Sequence, residues 1–418
     1  MCRLHDTGHN KTTTILEMKI VNEIRYLITA VAAITASIGC KKPYLPLVVA
    51  SNPNYLVVEG VINNGNDSTI IRLGRTTTIS SDTLTKPELN AVVTVQSNTN
   101  NTYPLREKDN GYYVSPGLNL SASNKYQLKI VTKDSKAYQS DFESVKNSPP
   151  IDSVYYQIKS NGLQIYTATH DRLKQTTYYR WEYAETYIIH SEYDSFYIHV
   201  KDPFDTVLSR LPGQQVYTCW VTGQSSTIYL NSSAKLLKDV IADNTLNFIP
   251  STSNKVATRY SILVKQYALS TDAYNYWQNL KKNTEQLGGI FDAQPSEISG
   301  NIHCITIPSE PVIGFISVGS YTQGRIFIDN RDLPAWRPDP DPYYADCFIL
   351  NFLFSDPLQA GTNTVAKNLY TDLYVPVNII ATTGKKGPII LGWTGAPNHC
   401  VDCTLRGTNK KPVFWTNE

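Results

Sequence analysis

Cys400-Val401-Asp402-Cys403 is the pattern in this chain closest to a chemical motif, and three chemistries compete for it. A redox-active pair of this spacing needs a helix N-terminus to stabilise its thiolate. Here the pair sits among Pro397, Asn398 and Gly407 with no helical pattern after it, so redox catalysis is not expected. Zinc needs four converging donors. His399, Cys400 and Cys403 can be joined by Cys347, or by His303 and Cys304, but no second CxxC and no HxxxH accompany them. Disulfide bonding is the expected chemistry. Cys219, Cys304, Cys347, Cys400 and Cys403 are an odd set, so at most two bridges form and one thiol is left over. Either Cys400 or Cys403 is expected to bridge Cys347, or the two to bridge each other, with Cys219–Cys304 as a further pairing. Each bridge would stabilise the fold by about 2–4 kcal/mol, by restricting the unfolded chain.

Other chemistries find less support. Gly-x-Ser-x-Gly, His-Glu-x-x-His and the phosphate-cradling Gly-rich loop are all absent, so no catalytic residue, metal or cofactor is assigned. Asp332, Asp339, Asp341 and Asp346 lie in a Pro-rich loop without the spacing of a calcium-binding loop, and are expected to be solvated. The same loop carries Trp336, Tyr343 and Tyr344, a candidate contact surface for a sugar ring or a partner.

The elements that must position these residues are strands. Leu56, Val58, Gly60 and Ile62 alternate, as do Ala91, Val93 and Val95, and Tyr126, Leu128, Ile130 and Thr132; Asn64-Gly65 and Asn110-Gly111 punctuate them. Short period-two strands separated by such turns predict a β-sandwich over residues 55–146. Lys146–Pro150 is a hinge, and residues 151–418 form a larger, mostly antiparallel β domain. Its clearest strand is Tyr179–Ile189, with Tyr179, Trp181, Tyr183, Tyr187 and Ile189 on one face and Arg180, Glu182, Thr186 and His190 on the other. One helix is expected near 271–287, capped by Ser270 or Thr271 and ended by Gly288, with a stripe of Ala273, Trp277, Leu280, Thr284 and Leu287. A second, brief helix is expected at Ser233–Ile241.

Cys40 speaks of location. It follows the apolar run Tyr26–Gly39, preceded by the basic residues Lys19 and Arg25, and Ile38-Gly39-Cys40 fits a bacterial lipobox. The run is shorter than the ~20 residues that cross a bilayer. Residues 1–39 are therefore expected to be a signal peptide whose natural start is Met18, with Cys40 acylated (palmitate) as lipid anchor and residues 40–54 as tether. The chain carries a formal charge of +2, and the leader holds four basic and three acidic residues, so near-neutrality persists without it. Nucleic acid is not an expected partner of so balanced a chain. Tyrosine is abundant at 28 residues while methionine is nearly absent at two, a usage that suits an exported β protein.

Several stretches carry a resemblance. They include Cys219-Trp220, Asn231-Ser232-Ser233-Ala234-Lys235-Leu236, Arg259-Tyr260-Ser261-Ile262-Leu263-Val264-Lys265-Gln266-Tyr267 and Tyr276-Trp277. They continue in Asn283-Thr284-Glu285-Gln286-Leu287-Gly288, Phe291-Asp292, Gln294-Pro295-Ser296 and Gly300-Asn301-Ile302-His303-Cys304. Arg325-Ile326-Phe327-Ile328 and the Cys400–Trp415 segment complete them. Together they resemble the Bacteroidota outer-membrane lipoproteins of the domain-of-unknown-function 4249 family. Leu56-Val57-Val58-Glu59-Gly60 and Gly111-Tyr112-Tyr113 resemble immunoglobulin-like or carboxypeptidase-regulatory-like β-modules. The resemblance implies no reaction; it implies a TonB-dependent outer-membrane transporter as partner. Surface-exported relatives often carry acidic residues after the acylated cysteine, whereas Lys41-Lys42-Pro43-Tyr44 stand here, so the face of the outer membrane is left open.

The expectation is a mostly β, lipid-anchored, non-enzymatic binding or accessory protein with a glycan or peptide ligand. A glycan-directed envelope hydrolase and a structural or adhesive surface protein are the alternatives.

Overall fold

Alternation along the chain becomes two-faced sheets. The computed structural model describes residues 54–77, 85–285 and 300–416. The expected signal peptide, Cys40 and nearly all of the expected tether lie outside the described residues. The first strands are β1 (Leu56–Ile62), β2 (Thr69–Thr76), β3 (Thr85–Pro87), β4 (Val92–Ser97), β5 (Thr102–Glu107), β6 (Tyr112–Ser115), β7 (Lys125–Val131), β8 (Ala137–Ser140) and β9 (Glu143–Ser144). Their sheet runs β8-β7-β4-β5-β6-β2-β1 and curls around one apolar core. Leu56, Val58 and Ile62, Val93 and Val95, and Tyr126, Leu128 and Ile130 all point into that core, as their period-two spacing predicts.

After the hinge come β10 (Ile151–Lys159), β11 (Gly162–His170), β12 (Tyr178–His190), β13 (Tyr197–Val200), β14 (Thr206–Ser209), β15 (Thr218–Gln224), β16 (Tyr229–Ser232), β17 (Val240–Pro250) and β18 (Arg259–Ala268). Helix α1 (Thr271–Glu285) follows, with Ser270 Oγ accepting from the Ala273 amide as its cap; Leu287 and Gly288 lie outside the described residues. Next are β19 (Ile302–Cys304), β20 (Val312–Gly314), β21 (Ser317–Val318) and β22 (Tyr321–Asp329). The sheets β10-β11-β17 and β15-β12-β18-β22 share a second core of Leu163, Ile165 and Ile249 against Tyr179, Trp181, Tyr260, Ile262 and Val264. Gln266, fully buried, ties this core to the hinge. Its Nε2 donates to Pro149 O at 2.9 Å and Thr169 Oγ1 at 3.0 Å, and its Oε1 accepts from Trp181 Nε1 at 3.0 Å.

A partition with everything from 151 to 418 in the second domain needs correction. β19 pairs antiparallel with β8, and β20 and β21 pair in parallel with β1, so the chain returns to the first sheet. Ile302, Val312, Ile316 and Val318 are buried in the first core, which covers both edges of the curled sheet. Cys304 is buried there too, as a free thiol, so the expected Cys219–Cys304 bridge does not form. Cys219 instead bridges Cys403, and Cys347 bridges Cys400, one of the pairings expected for Cys347.

The last elements are β23 (Leu350–Leu353), α2 (Thr364–Asn368), β24 (Val375–Gly384), β25 (Gly387–Ala396) and the single turn α3 (Asn398–Val401). β23-β25-β24 is a separate three-stranded sheet. No helix forms at Ser233–Ile241. Leu236 and Leu237 are exposed, so the segment has no apolar face to bury. Asp239 there hydrogen-bonds both Ser233 Oγ and Tyr179 Oη, which pulls the chain into a turn before β17. The mostly β, largely antiparallel architecture agrees with the sequence reading.

Candidate functional site

Of the residues singled out in the sequence, Tyr343, Tyr344, Asp341, Asp346, His399 and the four bonded cysteines gather around α3 and the two disulfides, while Cys304, Trp336 and Asp332 lie elsewhere. Tyr343 and Tyr344 pack edge to face at 5.2 Å, and the Arg406 guanidinium lies over their rings at 4.6 and 5.5 Å. Asp341 accepts from Arg406 at 2.7 Å and caps the Tyr343 amide; Tyr344 Oη donates to His190 O at 3.1 Å. Trp336 is elsewhere, half-buried against the second core, so the three aromatics do not form one face. Asp346 goes to His399 at 3.0 Å, Asp341 to Arg406 and Asp332 to Arg331 at 4.0 Å, so the loop carboxylates serve separate partners. His399 Nε2 lies 3.4 Å from Cys400 Sγ, and the donor atoms of Cys347, His399 and Cys400 lie within 4.8 Å of one another. The two sulfurs are bonded to each other, however, and a disulfide is not a thiolate ligand.

A second arrangement was half visible in the sequence. The polar face of β12 looks away from the second core, into a cleft of about 520 Å³ walled by β1, the Ile313–Phe315 segment and α1. Antiparallel register sets its rows. Arg180 stands beside Tyr267, which stands beside Tyr321, and Glu182 stands beside Lys265, which stands beside Gln323. The Arg180 guanidinium is held between two rings, 4.5 Å from Tyr267 and 4.5 Å from Trp277. Its Nη1 donates to Glu182 Oε2 at 3.2 Å, while its buried Nε–H has no acceptor among the described residues. Tyr267 Oη donates to the other oxygen of Glu182. Burial, and then the Glu182 charge, push the Tyr267 phenol far up, so it stays protonated as that donor. Lys265 rests over Tyr321 at 4.9 Å and forms no ion pair among the described residues.

The floor of the cleft is apolar. Tyr267, Tyr276 and Phe315 are buried together, with Trp277, Leu280 and Tyr321 half-buried above them. Burial, with a smaller contribution from Glu59, pushes the Tyr276 phenol up to about 12. Sequence reading identified Arg180 and Glu182 as the second face of a strand and placed Trp277 on the helix stripe. It did not find Lys265, Tyr267 or Tyr321, whose place depends on strand register.

One pair elsewhere has the outline of a base and its orienter. His170 Nδ1 lies 2.7 Å from Asp152, beside an open hollow at the hinge. Arg172 Nε donates to His170 Nε2 at 3.1 Å, which occupies the lone pair a general base would use. Glu185, buried in the second core, is likewise committed, to Lys255 at 2.5 Å and Tyr260 Oη at 2.9 Å.

Fold and cleft thus define a β-sheet protein with a charged, aromatic hollow between its two cores. The chain belongs to the family described as Domain of unknown function (DUF4249), which it matches over residues 41–325. That span includes the first core, most of the second and every cleft residue named above. No curated protein matches the chain. Among the described residues, no helix is long and apolar enough to cross a membrane.

Proposed function

We propose that this chain is a lipid-anchored cell-envelope protein that binds rather than transforms its ligand, as an accessory of a TonB-dependent outer-membrane transporter. Glu182 carries the binding half of this reading. Of the carboxylates lining the cleft it is the one set among the aromatic rings, and both its oxygens are taken, by Arg180 and by Tyr267. A carboxylate so saturated is suited to fixing its neighbours and poorly suited to moving protons. The half-buried rings and fixed cations around it have the composition of a recognition site. The envelope half is supported by the lipobox at Cys40 and by two disulfides, which an oxidising compartment favours. The hydrolase alternative has its best geometric support in Asp152–His170, where Arg172 stands in the way.

Mild solubilisation of the outer membrane followed by affinity capture of the full chain tests the assignment. A lipid-modified chain that brings a transporter with it is the expected result. An unmodified chain recovered in the soluble fraction, without a transporter, would overturn it.

A further inference from the structure

We infer that the ligand of the Arg180 cleft is a saccharide bearing a carboxylate, of the uronic acid type; this rests on the binding reading above. Three features of the lining point to it. Trp277 and Tyr321 are half-buried, each with a cation over one ring face, Arg180 and Lys265, and partly accessible rings of this kind can pack against the apolar face of a sugar ring. Glu59, Asn63 and Ser68 lie on the opposite wall and offer acceptors and donors to hydroxyl groups.

The third feature is charge. Glu59 is paired with Arg72 at 3.1 Å and Glu182 with Arg180, so the two acids of the lining are already neutralised. Arg180 is spent on Glu182, whereas Lys265 has the face of Tyr321 at 4.9 Å and no carboxylate partner among the described residues. Lys265 is thus the one cation of the lining without a carboxylate partner among the described residues, since Asp67 nearby is engaged by the Tyr321 hydroxyl, and it stands beside aromatic rings in a cavity of about 520 Å³. That volume falls in the range of small-molecule sites, roughly 300–1,000 Å³. An oxyanion carried on a hydroxyl-rich ring satisfies all three features together. A neutral sugar leaves Lys265 without a counter-charge, and an aromatic acid leaves the polar wall unused.

The test is calorimetric titration of the full mature chain in detergent with digalacturonate, with cellobiose as neutral disaccharide and phenylacetate as aromatic acid. Digalacturonate is expected to bind at least tenfold more tightly than either. Lys265→Gln is expected to weaken digalacturonate at least tenfold, with cellobiose unchanged, and Trp277→Ala to weaken both sugars. An unchanged thermal midpoint for Lys265→Gln shows that the fold is intact. Equal affinity for cellobiose, or no effect of Lys265→Gln, would overturn the assignment of charge. Tighter binding of phenylacetate would overturn the saccharide. If no probe binds while the chain still captures a transporter, the ligand class fails and the accessory role stands.

Discussion

Glu310 Oε1 stands 3.4 Å from Nη1 of Arg75, a residue 235 positions earlier in the chain. Glu310 also accepts from Lys136 Nζ at 2.7 Å and Tyr138 Oη at 2.6 Å, while Arg75 Nε donates to Glu88 at 2.7 Å. Arg75 is nearly buried, so this network is held away from water. It fastens the segment that returns from α1 to the first sheet, next to β19 and β20.

Glu310→Gln should therefore cost about 2–3 kcal/mol, since Arg75 keeps Glu88 but loses its second carboxylate. Urea unfolding at neutral pH measures it. A midpoint equal to that of the unaltered chain would show that the return segment is held by packing alone.

The same residue predicts a pH dependence. Burial raises the Glu310 carboxyl, but hydrogen bonds from Lys136 and Tyr138 outweigh it and hold the group below the usual carboxylate range. A depressed folded value means that the contribution is complete above the unfolded value, about 4.3, and is lost as pH falls through the folded one. The stability gap between the unaltered chain and Glu310→Gln should thus be full at pH 7 and shrink towards pH 3. A gap that is constant across that range contradicts the assignment.

The disulfides differ in the loops they close. Cys219–Cys403 spans 184 positions and Cys347–Cys400 spans 53. Removing either by paired alanine substitution should cost about 2–5 kcal/mol, and the longer loop about 1 kcal/mol more than the shorter. Denaturant titration of the two double variants gives the comparison.

Gln266→Leu should cost about 2–4 kcal/mol, because it strips Trp181 Nε1 of its acceptor and Pro149 and Thr169 of a donor inside a buried core. Hydrogen exchange reports it twice, as lower global protection and as faster exchange at residues 146–153.

Two glycines separate strain from crowding. Gly314 has φ +145°, and a Cβ there would lie 2.2 Å from Val58 O in the parallel pairing of β1 with β20. Gly387 has φ +123°, but a Cβ there would meet no described atom within 4 Å. Gly387→Ala should cost only the backbone strain, about 1–3 kcal/mol. Gly314→Ala should cost distinctly more, because backbone must move; differential scanning calorimetry ranks the two.

Much of this architecture was legible from spacing alone. Side chains leave a strand alternately to either side, so the period of two at Leu56–Ile62, Tyr126–Ile130 and Tyr179–Ile189 assigned inner and outer faces before any partner was known. Ser270, one of two cap candidates beside Thr271, likewise marked the start of α1, because caps are local signals. The odd cysteine count required one free thiol, and there is one among the described residues, Cys304.

What pairs with what was decided only by the tertiary structure. Cys304 is left free because β19 carries it to β8 in the first core, while Cys219 sits on β15 beside the C-terminal segment. Trp336 and Tyr343 are near neighbours in sequence yet serve different surfaces, since one packs on the second core and the other on Arg406. The cleft has the same origin. Arg180 and Glu182 were visible as a polar face, but Tyr267, Lys265 and Tyr321 join them through register, and Trp277 and Phe315 through the packing of α1 and the return of the chain to β1. Alternation is a property of neighbouring residues, and it fixes a face; closure of a sheet brings together residues far apart in the chain, and no local pattern records that choice.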